Sequence, residues 1–262
     1  MILSAEVGDN LFVEDELKLY RGCDYVVSKY ITIHQATIGE ICDYGEKDYY
    51  KMIHHFCSTP QNFKWQLWEK GIDYTEITPF DLFCNTIYKN YSQAETCILF
   101  GDLDFSKFEL LNRVDDNSKI LFQEKTNDKG ETENIIIDEF TYSVIVDYIS
   151  TTHGIQRDFK IPANESTKII LIEDAKEEYE RTLNKKYTSQ LKNLISSMIN
   201  CEGFKFSHTQ VWDMKINAFI DSVKRISKIK NADLLLQSGY SGFGVNLKDI
   251  DNKQLDWLGE LS

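Results

Sequence analysis

Three places in this 262-residue sequence carry side chains that could do chemistry. The first is His54-His55-Phe56-Cys57, with two imidazoles and a thiol close together. Zinc sites draw ligands at i and i+3 or i+4 on a helix and complete the set from a second cluster. His54 and Cys57 have that spacing, but no second pair follows. The bland reading, a helix with a buried cysteine and two ordinary histidines, is the better one. The second place is Gly101-Asp102-Leu103-Asp104, after the apolar run Ile98–Phe100. A strand that ends in Asp-x-Asp can hold magnesium for phosphoryl chemistry. Without a glycine-rich phosphate loop, the two aspartates read instead as the wet end of an edge strand. The third is Tyr240-Ser241-Gly242-Phe243-Gly244. It lacks both the Gly-x-Ser-x-Gly elbow of a serine nucleophile and the strand–turn–helix frame of a dinucleotide site, so it reads as a turn between helices.

No catalytic constellation stands out, and the expectation is a non-enzymatic protein with no metal and no cofactor. Composition points the same way. Acidic residues number 42 against 29 basic ones, for a net charge of −13. Nucleic acid, which needs a clustered positive surface, is not an expected partner. Met1–Glu6 has neither the basic start nor the apolar core of a secretion signal, and no run is long enough to span a bilayer. The six cysteines are scattered and read as small core residues of a reduced, cytoplasmic chain.

The elements around these residues are legible in outline. Tyr25–Val27 and Tyr30–His34 favour strands, and Leu17–Tyr20 is grouped with them. Thr37 with Glu40 has capping-box spacing, opening a helix that bends near Gly45 and resumes through Phe56. Pro60 and Thr78-Pro79 open further helices. Cys97–Phe100, Phe108–Leu111, Ile120–Gln123 and Ile135–Ile137 read as strands, the last two joined at a hairpin tip, Asn127–Gly130. Asp138 caps a helix over Glu139–Ser150 with Phe140, Val144, Ile145, Tyr148 and Ile149 on its inner side, closed by Gly154. Pro162-Ala163-Asn164 looks like a join. Beyond it, Ser166–Asn200 reads as a long helix with a wet first half and a buried end, broken near Asn184.

The clearest amphipathic pattern lies after Ser207. Trp212, Ile216, Phe219, Val223 and Ile226 recur at steps of four and three, which places them on one helical face, widened by Ile220 and Ile229. Cations gather toward its end, at Lys224, Arg225, Lys228 and Lys230, where the helix dipole favours them. The expected fold class is α+β: an N-terminal mixed strand and helix region with antiparallel hairpins over residues 1–161, and a mostly α-helical region over 162–262. Trp212, Phe219, Tyr240, Phe243 and Trp257 are the expected partner-binding residues, since large aromatics dominate protein interfaces.

Several stretches taken together resemble one family. Ile38-Gly39-Glu40-Ile41, Asp43-Tyr44-Gly45-Glu46, Gln66-Leu67-Trp68 and Gly71-Ile72-Asp73-Tyr74 are similar to the N-terminal half of tail-morphogenesis proteins from phages of low-GC Gram-positive bacteria. Val211–Met214, Phe219–Ile226, Tyr240-Ser241-Gly242 and Leu255-Asp256-Trp257 are similar to the C-terminal half. The resemblance implies a tail assembly chaperone that binds the tape-measure protein, or else a structural tail subunit, with other phage tail proteins or a second copy as partners. It places the protein in the host cytoplasm during assembly, or in the virion tail. A magnesium-dependent hydrolase using Asp102 and Asp104 is the rival reading.

Overall fold

The computed structural model describes residues 16–126, 130, 132–183, 185–240, 244 and 250–261. Its architecture is α+β, with small antiparallel sheets in the first half and helices in the second. Helix α1 (Glu16–Arg21) leads into a hairpin of β1 (Tyr25–Ser28) and β2 (Ile31–Ile33), paired Tyr25 with Ile33. Leu17–Tyr20 is therefore helical and not part of the strand set.

Helix α2 (Ile38–Tyr44) starts at the full Thr37–Glu40 capping box and ends at Gly45, whose φ of +105° few other residues adopt. Helix α3 (Glu46–Cys57) follows at once and buries Tyr49, Met52, Ile53 and Phe56. Two short helices come next, α4 (Lys64–Glu69) and α5 (Pro79–Leu82). The latter continues through a π turn, Phe83–Ile87, into a 3-10 turn at Tyr88–Asn90.

The run Cys97–Phe100, expected as a strand, is the end of helix α6 (Gln93–Phe100). The cause lies upstream. Ser92 and Glu95 form a capping box that commits the segment to a helix before the apolar run begins. The second sheet is a meander of β3 (Glu109–Asn112), β4 (Lys119–Thr126) and β5 (Thr132–Ile137), with Leu121 opposite both Leu110 and Ile137. Of the expected hairpin tip, Asn127–Lys129 lies outside the described residues.

Helix α7 (Glu139–His153) is capped by Asp138 and closed by Gly154 in the left-handed region. It buries Tyr142, Val144, Ile145, Tyr148 and Ile149. Phe140, placed on the inner side by its sequence pattern, faces solvent. Asn164 then caps α8 (Glu165–Thr182), which is largely exposed, and Ser189 caps α9 (Gln190–Ile199), which buries Leu191, Ile195 and Met198. The expected break at Asn184 falls on a residue outside the described set.

The chain beyond Ser207 departs from the expected single helix. Gln210–Asp213 is a 3-10 turn, Met214 is extended at φ −72° and ψ 136°, and only then does α10 (Ile216–Tyr240) begin. The extended stretch is held by the N-terminal half. The Ile38 amide donates to Met214 O and the Ile216 amide donates to Ala36 O, both at 2.9 Å. A tertiary bridge between Thr37 and Lys215 thus overrides the helical spacing and removes Trp212 from the α10 face. A final short helix, α11 (Asn252–Leu255), lies against α10. There Arg225 donates to the carbonyls of Trp257 at 2.7 Å and Gly259 at 2.8 Å.

The core is aromatic. Phe56 sits at its centre, with the rings of Phe83, Tyr91, Phe100 and Phe105 packed around it at centroid distances of 5.1–5.5 Å. Such pairs add about 0.5–1.5 kcal/mol each beyond the area they bury. Ile172, Leu191, Ile195, Met198, Val211, Ile216 and Phe219 join the same hydrophobic cluster as the residues of the first half.

Candidate functional site

The residues singled out for chemistry have structural employment. His55 Nδ1 lies 2.6 Å from the Tyr91 hydroxyl, and burial lowers the pKa of both His54 and His55. Burial pushes the Cys57 thiol up to about 12, so it is not a thiolate at neutral pH. Among the described residues, no group of three or more His, Cys, Asp or Glu side chains is arranged to hold a metal ion. Asp104 caps the turn Phe105–Lys107. Its carboxylate accepts from the Ser106 hydroxyl at 2.6 Å and the Ser106 amide at 3.1 Å, and those bonds hold its pKa below the usual carboxylate range. Asp102 accepts from the Gln93 amide group at 3.1 Å. The pair follows a helix, and its polar bonds go to neighbouring turns.

The expected contact residues scatter. Phe219 is wholly buried and is a core side chain with no surface to offer a partner. Its position three residues after Ile216 turns it toward the packed side of α10. Tyr240 is 80 % exposed at the end of α10, and Trp257 is 46 % exposed in the tail beside it. Phe243 lies outside the described residues, as does Ser241.

Trp212 is the expected contact that lies at a cavity. It forms one end of an apolar groove of about 410 Å³. Leu191, Ile195 and Ile199 of α9 line one wall; Ile38 and Cys42 of α2, with Glu46 at the start of α3, line the other. Local chemistry holds each wall in place. Ser207 shapes the Trp212 turn: its amide and hydroxyl both donate to the Gln210 side-chain oxygen at 2.9 Å. The His208 ring meets Trp212 edge-on at 5.9 Å. Gly39 permits the close approach of α2, because a Cβ there would stand 3.0 Å from the Trp212 carbonyl oxygen.

Glu46 fastens α9 to the body. One carboxylate oxygen accepts the amides of Gln190 and Leu191, each at 2.9 Å. These are among the N–H groups a helix leaves without an internal partner. Burial would raise the Glu46 pKa, but the Leu191 and Gln190 amides and the Ser189 and Tyr187 hydroxyls outweigh it, and the net shift is downward. The buried row of α9 was legible as the buried end of the long helix. Its meeting with α2 was not, because the two stretches are distant in sequence. The only local hint is the four-residue step shared by Ile38 and Cys42, and by Leu191, Ile195 and Ile199.

Residues 184–262 match a family model described as the second domain of YomV, a phage-associated family. The matched segment includes α9, the Trp212 turn and α10, and so supplies one wall and one end of the groove. No curated protein and no solved structure matches the chain. Among the described residues, no helix is long and apolar enough to cross a membrane.

Proposed function

We propose that the protein is a non-enzymatic phage tail-morphogenesis factor, a tail assembly chaperone that holds the tape-measure protein or another tail component through apolar helical surfaces. The observation that carries this reading is the groove at Trp212, where a segment similar to a phage-associated family meets the first half of the chain. Apolar walls with few polar groups suit protein recognition. The −13 net charge favours solubility while such a surface is open. On this reading the protein works in the host cytoplasm and needs no cofactor, nucleic acid or membrane.

A second reading, a structural tail subunit that pairs with its own kind, is favoured by the exposed Tyr240 at the end of α10 and the exposed Trp257 and Leu258 of the tail. Mass spectrometry of purified virions, beside retrieval of tail proteins from infected cells, separates the two. A chaperone is absent from virions and retrieves a tail component; a subunit is abundant in virions. Absence from virions with no tail protein retrieved would sink both.

A further inference from the structure

We infer that the groove takes about two turns of an amphipathic helix from a partner protein, with a carboxylate of that helix set against Lys192. The inference rests on the reading of the groove as a docking site and adds the chemistry of its occupant.

Leu191, Ile195 and Ile199 repeat at one-turn steps along α9, and Lys192, Ser196 and Asn200 form a parallel row beside them, all six lining the groove. At about 1.5 Å rise per residue, each row spans roughly 12 Å, or two turns. Ile38 and Cys42 make a matching one-turn step on the facing wall. A slot walled by two helices, with ridges at helical pitch, is the shape into which a third helix packs. Its volume of about 410 Å³ is enough for anchor side chains at i and i+4, with the rest of the helix riding above.

Charge sets the polarity of the occupant. The lining carries one carboxylate, Glu46, and one ammonium, Lys192, while the His208 ring is packed edge-on against Trp212. The Glu46 carboxylate is taken by the amides of Gln190 and Leu191. The Lys192 side chain is exposed, and the described residues give it neither an ion pair nor a hydrogen bond. Among the described residues, the groove therefore presents an apolar floor, the unpaired Lys192 ammonium on its rim, and Ser196 and Asn200 at the next two turns. An acyl chain with a carboxylate head would answer the floor and the cation, but it would leave the Ser196 hydroxyl and the Asn200 side-chain oxygen unused, the Asn200 amide group already donating to the Ser196 carbonyl at 2.8 Å. A helix with an apolar face and an acidic flank answers all three.

The test uses the full chain and two stapled helical peptides of about 12 residues. Both carry leucines at i, i+4 and i+7, and they differ only in a flanking Glu or Lys. Binding is read by fluorescence anisotropy. The Glu peptide is expected to bind roughly fivefold tighter than the Lys peptide, with the order reversed in Lys192→Glu. Cys42→Trp, which fills the groove from an exposed position, should abolish binding of both while the circular dichroism spectrum is unchanged. Equal affinities, a preference that survives Lys192→Glu, or saturable binding of dodecanoate with neither peptide bound would each overturn the inference. The docking reading stands or falls separately, on whether Cys42→Trp loses the tail protein that the wild-type chain retrieves.

Discussion

Tyr49 and His153 meet between α3 and α7, the phenol oxygen 2.6 Å from Nε2 of the ring. Nδ1 lies 2.7 Å from the carbonyl oxygen of Ile149. A carbonyl can only accept, so Nδ1 carries a proton; burial disfavours a second one, and Nε2 accepts from the Tyr49 hydroxyl. The imidazole is thus neutral and fully employed. Protonating Nε2 would turn the Tyr49 oxygen into the acceptor and take from its O–H the partner it has in the interior.

Burial, the largest influence, lowers the His153 pKa to about 4; the Ile149 bond opposes it, and His54 adds to it. The folded value lies below the unfolded one of about 6.5, so the unfolded state binds more protons between the two. Stability is therefore whole above about pH 6.5 and falls as the pH drops to about 4, by roughly 3 kcal/mol. Thermal denaturation across this window checks it. In His153→Gln, the slope between pH 6.5 and 4 should lessen, the remainder coming from His54 and His55, whose pKa values burial also lowers. The loss from capping carboxylates such as Glu46 and Asp138, whose folded pKa values are lowered, should persist at more acid pH.

Glu46→Ala removes the acceptor for two amides of α9. The expected cost is about 1–2 kcal/mol, with faster hydrogen exchange confined to the first turn of α9. Glu46→Gln, which keeps a carbonyl acceptor, should lose less. Unchanged exchange in Glu46→Ala would refute the anchoring role.

Core and surface aromatics should separate cleanly. Phe219→Ala, at a wholly buried position, is expected to cost about 3–5 kcal/mol. Tyr240→Ala, at an exposed one, should stay within about 0.5 kcal/mol. Urea denaturation measures both. A phenotype of Tyr240→Ala in tail assembly, with stability intact, would then report contact and not folding.

Gly39→Ala places a methyl group 3.0 Å from the Trp212 carbonyl oxygen. Backbone yields little, so α2 and the Trp212 turn must move apart, at a cost of about 1–3 kcal/mol. A shifted tryptophan emission spectrum and a lower denaturation midpoint are the expected signs.

Much of the framework could be read from local chemistry, because caps act within four residues. Thr37 with Glu40, Gly45, Asp138 and Gly154 each stand where the sequence places a start or a stop. The meander of β3–β5 followed from apolar runs between polar turns. Ile98–Phe100 misled because a short apolar run does not distinguish strand from helix, and the Ser92 cap decides the matter from outside it. Trp212 misled in another way. Its spacing to Ile216 fits a helix, but the bridge from Thr37 to Lys215 holds Met214 extended between them. The groove inherits that difficulty. Its anchor aromatic was identifiable, whereas the pairing of α9 with α2 is a non-local event that no window of sequence contains.

The same bridge sets an order on synthesis. The Thr37 cap can form as soon as α2 leaves the ribosome, but the Ile38 amide has its partner only when Met214 emerges. At about 5–20 residues per second, that interval is on the order of ten to thirty seconds. For most of that interval, the nascent chain carries the α2 wall of the groove without α9 or the Trp212 turn against it. A ribosome stalled before Met214 should therefore hold a chain whose α2 entry is still open to protease, and release past Ile216 should close it.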